Sequence, residues 1–196
     1  MITQELLNQA MSYSYYKALL ENLLTQGKTT GANQSAEYLN YAKINLQRMH
    51  RLEKTIVLNN ELENDLSKIT KQYTFLIITE GWCGDAAQNL PICYLIEKAC
   101  KNITLKLILR DENLDIMNNY LTNGAKAIPK LICVNNDTLQ EVFVWGPRPT
   151  NLQELVLQMK RENKTHEDIS LISQNWYNAD KTKTLQMEIL NLVQNL

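Results

Sequence analysis

The sequence predicts an α/β fold in which a mixed β-sheet carries helices on both faces. Three observations lead to this prediction. Between residues 73 and 160, short apolar runs alternate with longer segments of helical periodicity. The turn-forming residues Asn135-Asn136-Asp137 separate the last two apolar runs. With 196 residues, the chain is also long enough to bury a substantial core.

Two helices are predicted ahead of the sheet. Ser14 is placed to cap a helix over 15–26, and Gly27 is placed to end it. Ser35 is placed to open a longer helix that continues to about residue 52. Because each helix has an apolar face, each needs a partner surface, either the core of the protein or a second copy in a dimer.

The elements of the sheet and of the C-terminal part follow from the same patterns. The run 55–58 is short and β-branched, and we predict it as the first strand. Thr150 and Gln153 form a capping-box pattern at the start of a later helix. The further predicted elements are a helix at 60–70, a strand at 73–79, a helix at 85–100, a strand at 103–109, a helix at 113–121, strands at 131–134 and 141–145, and helices at 151–160, 168–176 and 184–194.

Charge and composition exclude several classes of partner. The chain has 20 basic and 21 acidic residues and a formal net charge of −1, so nothing draws it to nucleic acid or to an anionic membrane. The first residues lack the basic and apolar parts of a secretion signal, and no apolar run approaches the roughly 18 residues of a membrane span. We therefore expect a cytoplasmic protein that binds neither nucleic acid nor membrane.

The four cysteines do not form the pattern of a disulfide framework or of a metal site. Cys93 follows Cys83 by ten residues, about 15 Å along a helix, which is too far for a disulfide. Cys93 and Cys100 are expected on the packed side of one helix, and Cys133 lies in a predicted strand. We interpret these three as core residues. No Cys/His spacing typical of zinc is present, so no metal is expected.

The segment 79–91 contains the strongest functional signal. It places Trp82-Cys83-Gly84 between an apolar strand and a helix, with Pro91 eight positions after the cysteine. At a helix N-terminus, unpaired backbone N–H groups and the macrodipole favour thiolate, which is the nucleophilic form. Further along, Ile128-Pro129 directly precedes a predicted strand.

These residues, in this order, resemble the active-site loop and the cis-proline loop of the thioredoxin superfamily. The chain is similar to bacterial thioredoxin-like proteins with a Trp-Cys-Gly-Asp-Ala loop. The resemblance implies a thioredoxin-like domain over 54–161. It leaves an N-terminal helical extension, 1–53, and a C-terminal helical extension, 162–196, which we expect to pack on the core.

The chain also departs from thioredoxins in three positions. Ala86 stands where they carry a second cysteine, and Asp85 stands where they usually carry proline. Ile77 replaces the buried acid that helps to deprotonate that second cysteine. Loss of the resolving thiol together with its acid is chemically coherent, and it argues against ordinary dithiol reduction.

By this resemblance the candidate catalytic residues are Cys83, as nucleophile, and Asp85. Two roles for Asp85 remain open: its carboxylate caps the amides of the helix, or it moves a proton during thiol chemistry. In either role its negative charge opposes formation of the Cys83 thiolate. Trp82 is expected to shield one side of the thiol.

The resemblance also implies a substrate-binding groove. A cis Pro129 presents the backbone of Ile128 beside the sulfur, where a peptide or glutathione can pair as an added strand. Lys130 is either merely exposed or close enough to contact an anionic ligand. Trp145, together with Trp82 and Ile128, is expected to line this groove. It opens a proline-rich loop, in which Arg148 is either a solvated side chain or a donor to the thiolate or to a carboxylate.

Two functional hypotheses follow. The first is a monothiol redox protein that exchanges disulfides through Cys83 and is resolved by an external thiol, such as glutathione, acting as co-substrate. Its partners are protein or small-molecule disulfides, and the protein is a monomer or a homodimer with no bound cofactor. The alternative is a non-catalytic module that keeps the groove for a peptide or protein. Iron–sulfur assembly is a weaker third hypothesis.

Overall fold

The computed structural model describes residues 2–196 and contains a four-stranded sheet in the order β2-β1-β3-β4. Strand β1, Tyr73–Thr79, pairs in parallel with β2, Ile103–Leu109, and antiparallel with β3, Lys130–Asn135. Strand β4, Glu141–Trp145, pairs antiparallel with β3 at the edge. The predicted mixed sheet and the α/β class are thereby confirmed.

The strand sequences explain this order. All seven residues of β1 are buried, as an apolar run in the middle of a sheet covered on both faces requires. Strand β4 has a mostly exposed pattern, which is typical of an edge strand. The described residues also form helices α1 (Gln4–Gln9), α2 (Tyr13–Thr25), α3 (Ala36–Thr55), α4 (Asn60–Leu66), α5 (Gly84–Ala99), α6 (Leu114–Met117), α7 (Thr150–Arg161), α8 (His166–Asp180) and α9 (Lys183–Val193).

Helices from both ends of the chain take part in the core. Helix α3 packs along α5, and Met49 on α3 is 1% exposed. Tyr13 and Leu20 of α2 are also buried in the main cluster. At the other end, Ile189 of α9 belongs to the same cluster. A second, smaller cluster forms between α7 and α8 around Leu152, Val156, Met159 and Tyr177.

The predicted first strand at 55–58 is wrong. Helix α3 runs on to Thr55, and the residues after it join no strand of the sheet. One side chain of α9 instead binds a backbone group of this run and one just after it: Gln186 Nε2 donates to the Val57 carbonyl and Gln186 Oε1 accepts from the Asn59 amide. A hydrogen-bonding partner 127 or more residues away in sequence leaves no local pattern to detect.

Several predicted helix ends also differ from the structure. The first long helix is capped by Ser12 instead of Ser14, and the helix predicted at 113–121 is only the four-residue α6. The capping box at Thr150 does not form. The Thr150 amide donates to Glu188, while the side-chain oxygen of Gln153 accepts from Arg148, so other partners replace the expected pair.

Candidate functional site

Cys83 lies where β1 passes into α5, as its N-cap residue. Its Sγ accepts a hydrogen bond from the Ala86 amide at 3.4 Å, so the thiol itself satisfies one of the unpaired amides of the first turn. The loop before it is held at Gly81. The Gly81 amide donates to Thr30 Oγ1 at 2.8 Å, and its carbonyl accepts from Asn45 Nδ2 at 3.0 Å.

The thiol of Cys83 is buried, with 8% of the residue exposed, and it donates to the carbonyl of Ile128 at 3.3 Å. Burial raises the pKa of this thiol to about 12, and the nearby charge of Asp85 adds to the increase. The Ala86 amide and the Arg148 guanidinium act in the opposite direction but are weaker. The expectation that the helix terminus would favour thiolate is therefore wrong for this state, because desolvation outweighs it.

The Ile128–Pro129 peptide bond is cis, and the Ile128 carbonyl lies next to the Cys83 sulfur. The loop after β4 packs directly on this segment. Gly146 has φ +110°, and a Cβ built there would clash with the Pro129 carbonyl oxygen. A glycine is thus required at 146 both by backbone conformation and by close approach.

Asp85 does not cap α5, since Cys83 occupies that role. Its Oδ2 lies 2.7 Å from Arg148 Nη2, and its Oδ1 accepts from the Tyr177 hydroxyl at 2.9 Å. Arg148 is therefore not a solvated arginine, and it is directed to this carboxylate. Burial, together with the charge of Asp85, raises the pKa of Tyr177 well above its usual value, so the phenol stays a neutral donor.

Two residues that were predicted to line the groove form hydrogen bonds in other parts of the protein. Lys130 is 5% exposed, and its Nζ donates to Thr122 Oγ1 at 2.6 Å and to the Gly146 carbonyl at 3.0 Å. Trp145 is buried and donates from Nε1 to Glu188 at 2.6 Å. The predictions that Lys130 is exposed to ligand and that Trp145 lines the groove are therefore wrong, because both side chains hold β3, β4 and α9 together.

A cleft of about 650 Å³ opens over the sulfur of Cys83. It lies between α3 on one side and α7 and α8 on the other. Of the predicted site residues it brings together Trp82, Cys83, Asp85, Ile128 and Arg148, whereas Pro129, Lys130 and Trp145 do not line it. The side chains that sequence reasoning missed include Tyr38, Tyr41, Asn45, Arg48, Arg110, Lys126, Lys160, His166 and Tyr177.

Trp82 forms part of the cleft wall between an aromatic ring and a cation. Its ring centroid lies 5.0 Å from that of Tyr38, and the guanidinium carbon of Arg110 lies 4.7 Å from the ring centroid. The expected shielding role of Trp82 thus depends on α3 and on the loop after β2. Both come from parts of the chain whose sequence shows no sign of this contact.

A buried acid lies three residues before Cys83 and was not predicted. Glu80 has 0% exposure, and its Oε1 accepts from the Asp111 amide at 2.9 Å. Its Oε2 has no hydrogen-bonding partner within residues 2–196. Burial raises the pKa of Glu80. Ile77, at the position of the thioredoxin acid, is an ordinary core residue with 2% exposure.

Two further observations concern the part of the chain that the structure describes. Residues 2–196 contain no group of three or more His, Cys, Asp or Glu side chains arranged to hold a metal ion. Every helix in this range is too short or too polar to cross a lipid bilayer.

A family model described as Thioredoxin matches residues 31–165, from the loop before α3 to the start of α8. Among solved structures, the chain is similar to a protein of unknown function from Pseudomonas aeruginosa, with 16% identity, a TM-score of 0.63, and coverage of 100% of this chain and 99% of the other. It is also similar to an HIV epitope scaffold, with 17% identity, a TM-score of 0.58, and coverage of 95% and 99%. These likenesses show the fold. No curated protein matches. The matched model, the sheet order and the position of Cys83 together show that this chain belongs to the thioredoxin family.

Proposed function

We propose that this protein is a monothiol redox protein that exchanges disulfides through Cys83. The observation that carries the proposal is the position of the Cys83 sulfur. It caps α5, contacts the Ile128 carbonyl beside a cis proline and lies at the base of a cleft of ligand size. Each of these features directs a substrate to the sulfur.

In the proposed reaction, the thiol of Cys83 loses its proton to solvent, and the sulfur attacks one sulfur of a bound disulfide. The S–S bond of the substrate breaks, one half leaves as a thiolate, and Cys83 is held in a mixed disulfide. A second thiolate then attacks the substrate sulfur of this mixed disulfide and releases Cys83. The resolving thiol is consumed as the reductant: it ends in a disulfide with the bound half of the substrate, and Cys83 leaves as a thiolate that takes a proton back from solvent.

The resolving thiol must come from outside the chain. Ala86 occupies the position of an internal partner, and the other cysteines are buried at 1%, 4% and 0% exposure for Cys93, Cys100 and Cys133. No two cysteines form a disulfide; all four are free thiols. A low-molecular-weight thiol such as glutathione, or a thiol of a second protein, fits this requirement.

The test is adduct formation with a small disulfide such as bis(2-hydroxyethyl) disulfide, followed by mass spectrometry of the intact and digested protein. One adduct at Cys83 is expected, released by added thiol and absent in Cys83→Ser. Cys100→Ser is the matched control, because the Cys100 thiol donates to the Leu66 carbonyl at 3.3 Å and a hydroxyl can replace it. Stoichiometric modification of Cys93, Cys100 or Cys133 without denaturant would contradict the proposal.

A non-catalytic binding module is the second candidate, and the state of Cys83 favours it. A thiol with 8% exposure and a pKa raised by burial to about 12 is a weak nucleophile near neutral pH. The rate of Cys83 alkylation against pH separates the two functions. Slow alkylation up to about pH 11 together with no mixed disulfide would favour the binding module, whereas adduct formation at neutral pH would exclude it.

A further inference from the structure

We propose that the cleft selects small disulfides and thiols that carry a carboxylate, and that Arg48 of α3 is the residue that binds this carboxylate. The inference rests on the proposed exchange function and names its substrate class. Arg48 lies on α3, outside the sheet and its crossover helices, so the proposed recognition depends on the helix that packs along α5.

Arg48 is positioned beside the reactive loop. Its Nη1 lies 3.7 Å from the place where a Cβ on Gly84 would stand, and Gly84 directly follows Cys83. The same Nη1 donates to Asn45 Oδ1 at 2.7 Å, and Asn45 Nδ2 in turn donates to the Gly81 carbonyl. The guanidinium is therefore held on the cleft side of α3, next to Gly84, by a partner that carries no charge.

Arg48 has no direct carboxylate partner in the part of the chain that the structure describes, although the charge of Asp85 acts on it from further away. Within residues 2–196, Arg48 makes no salt bridge, whereas Arg148 is paired with Asp85 and Arg110 with Asp111. Burial lowers the pKa of Arg48, an effect that a bound anion would offset. A half-buried guanidinium without a counter-ion has donors left over for a planar, bidentate anion such as a carboxylate.

The rest of the cleft lining also carries a net positive charge. Besides Arg48, the lining among residues 2–196 contains two carboxylates and the cations Arg110, Lys126, Arg148 and Lys160, although the whole chain has a formal net charge of −1. Arg110 and Arg148 are paired with Asp111 and Asp85, so Lys126 and Lys160 add to the positive charge of Arg48. The two carboxylates are already engaged, Glu37 with the Tyr41 hydroxyl and Asp85 with Arg148. A cleft with such an excess of cations attracts anions and lowers the affinity for cationic substrates.

The size of the cleft and the limited access to Cys83 favour a small molecule over a folded protein as the substrate. The cleft volume of about 650 Å³ lies within the range of small-molecule sites. Cys83 is 8% exposed at its base, and Tyr38 from α3 and Tyr177 from α8 stand on opposite walls. A disulfide on the surface of a globular protein would have to pass between these helices to reach the sulfur.

The experiment measures the rate of mixed-disulfide formation at Cys83 with three disulfides of similar length. They are 3,3′-dithiodipropionate, which is anionic, bis(2-hydroxyethyl) disulfide, which is neutral, and cystamine, which is cationic. The anionic probe should react at least about tenfold faster than the neutral one, and cystamine should be slowest. Raising the ionic strength should reduce this selectivity.

Arg48→Gln should reduce the ratio of the anionic to the neutral rate by about tenfold. Arg51→Gln is the matched control, since Arg51 is an exposed arginine one turn further along α3 that does not line this cleft; it should keep the ratio. Thermal unfolding of each variant verifies that it is folded. The measurement on the native protein needs no substitution, so selectivity can be judged even if a variant fails to fold.

The possible failures can be told apart. If none of the three probes modifies Cys83, the proposed exchange function is wrong. If all three react at similar rates, or if Arg48→Gln and Arg51→Gln have the same ratio, exchange stands and the carboxylate selectivity is wrong. Equilibrium binding of 3,3′-dithiodipropionate to Cys83→Ser, lost in Cys83→Ser/Arg48→Gln, is expected independently of any chemistry.

Discussion

Asp85 and Arg148 form an ion pair of 2.7 Å across the side of the cleft, and Asp85 lies two positions after the reactive cysteine. Asp85 lies in the first turn of α5 and Arg148 in the loop before α7, so the pair joins the reactive loop to the loop that follows β4. The two charges act on the thiol in opposite directions: Asp85 raises the pKa of Cys83 and Arg148 lowers it. Removing one member should therefore change the reactivity of the thiol in a direction that can be stated.

Asp85→Asn should lower the pKa of the Cys83 thiol below about 12. The substitution removes the charge that opposes thiolate and leaves Arg148 to favour it. At pH 8, alkylation of Cys83 by iodoacetamide should accelerate about tenfold. Glu37→Gln removes the other carboxylate of the cleft and is the matched control. Equal rates in the native protein and in Asp85→Asn would mean that burial alone sets the pKa.

Glu80→Gln should change how stability depends on pH. Burial raises the pKa of Glu80 in the folded protein, so between its ordinary value and the raised one the folded state retains a proton that the unfolded state has lost. This contribution to stability is complete below the ordinary pKa and is lost as the pH rises through the folded pKa. A glutamine keeps an acceptor for the Asp111 amide without the charge. It should therefore stabilise the protein more at pH 8 than at pH 5, as measured by urea unfolding.

Glu112→Gln, an exposed glutamate in the same loop as Asp111, is the control for Glu80→Gln. Its effect on stability should be small and similar at both pH values. An equal effect of Glu80→Gln at pH 5 and pH 8 would show that Glu80 ionises at the same pH in both states.

Ala86→Cys should provide the missing resolving thiol. The Ala86 amide already donates to the Cys83 sulfur, so a side chain at 86 starts within the same turn. After mild oxidation, mass spectrometry should find an internal disulfide between Cys83 and the introduced thiol, and less external mixed disulfide. Because Ala86 is 1% exposed, the larger side chain should cost about 1 kcal/mol of stability. Cys83→Ser/Ala86→Cys should form no internal disulfide, and finding one there would implicate another cysteine.

Gly146→Ala should destabilise the protein by about 2–3 kcal/mol, because the new methyl group would meet the Pro129 carbonyl oxygen and the backbone conformation is strained for alanine. Gly124→Ala is the matched control. Gly124 also has positive φ, +77°, but nothing lies within 4 Å of its added Cβ, so about 1 kcal/mol is expected. Urea unfolding of both variants gives the difference. Equal costs would show that conformation, and not the contact with Pro129, requires the glycine.

Local patterns predicted strands from their own apolar or β-branched runs, although the partner strands lie far away in sequence. Strands β1, β2 and β4 have the predicted bounds, since uninterrupted apolar or β-branched runs mark them directly. The run 55–58 looked the same but has its partners in Gln186, far along the chain. An apolar run alone does not tell whether a sheet edge is available to it.

The sequence predicted the part of the candidate site formed by Cys83 and its neighbours, because the reactive loop and the start of α5 lie within a few residues of each other. Lys130 and Trp145 were misassigned because their polar atoms are bound by Thr122, Gly146 and Glu188. Nothing in the sequence indicated that Arg48 and Tyr177 belong to the site. They lie on amphipathic helices whose residues are ordinary in sequence, and they reach the cleft only through packing.

Gly81 is held from two sides, by Thr30 at its amide and by Asn45 at its carbonyl, and neither partner belongs to the sheet or to its crossover helices. The conformation of the reactive loop therefore depends on residues outside the loop. Transplanting residues 80–86 into another thioredoxin-fold protein would leave both hydrogen bonds of Gly81 without partners. An engineer who wished to move this loop would have to move its two supports, the 28–34 segment and α3, together with it.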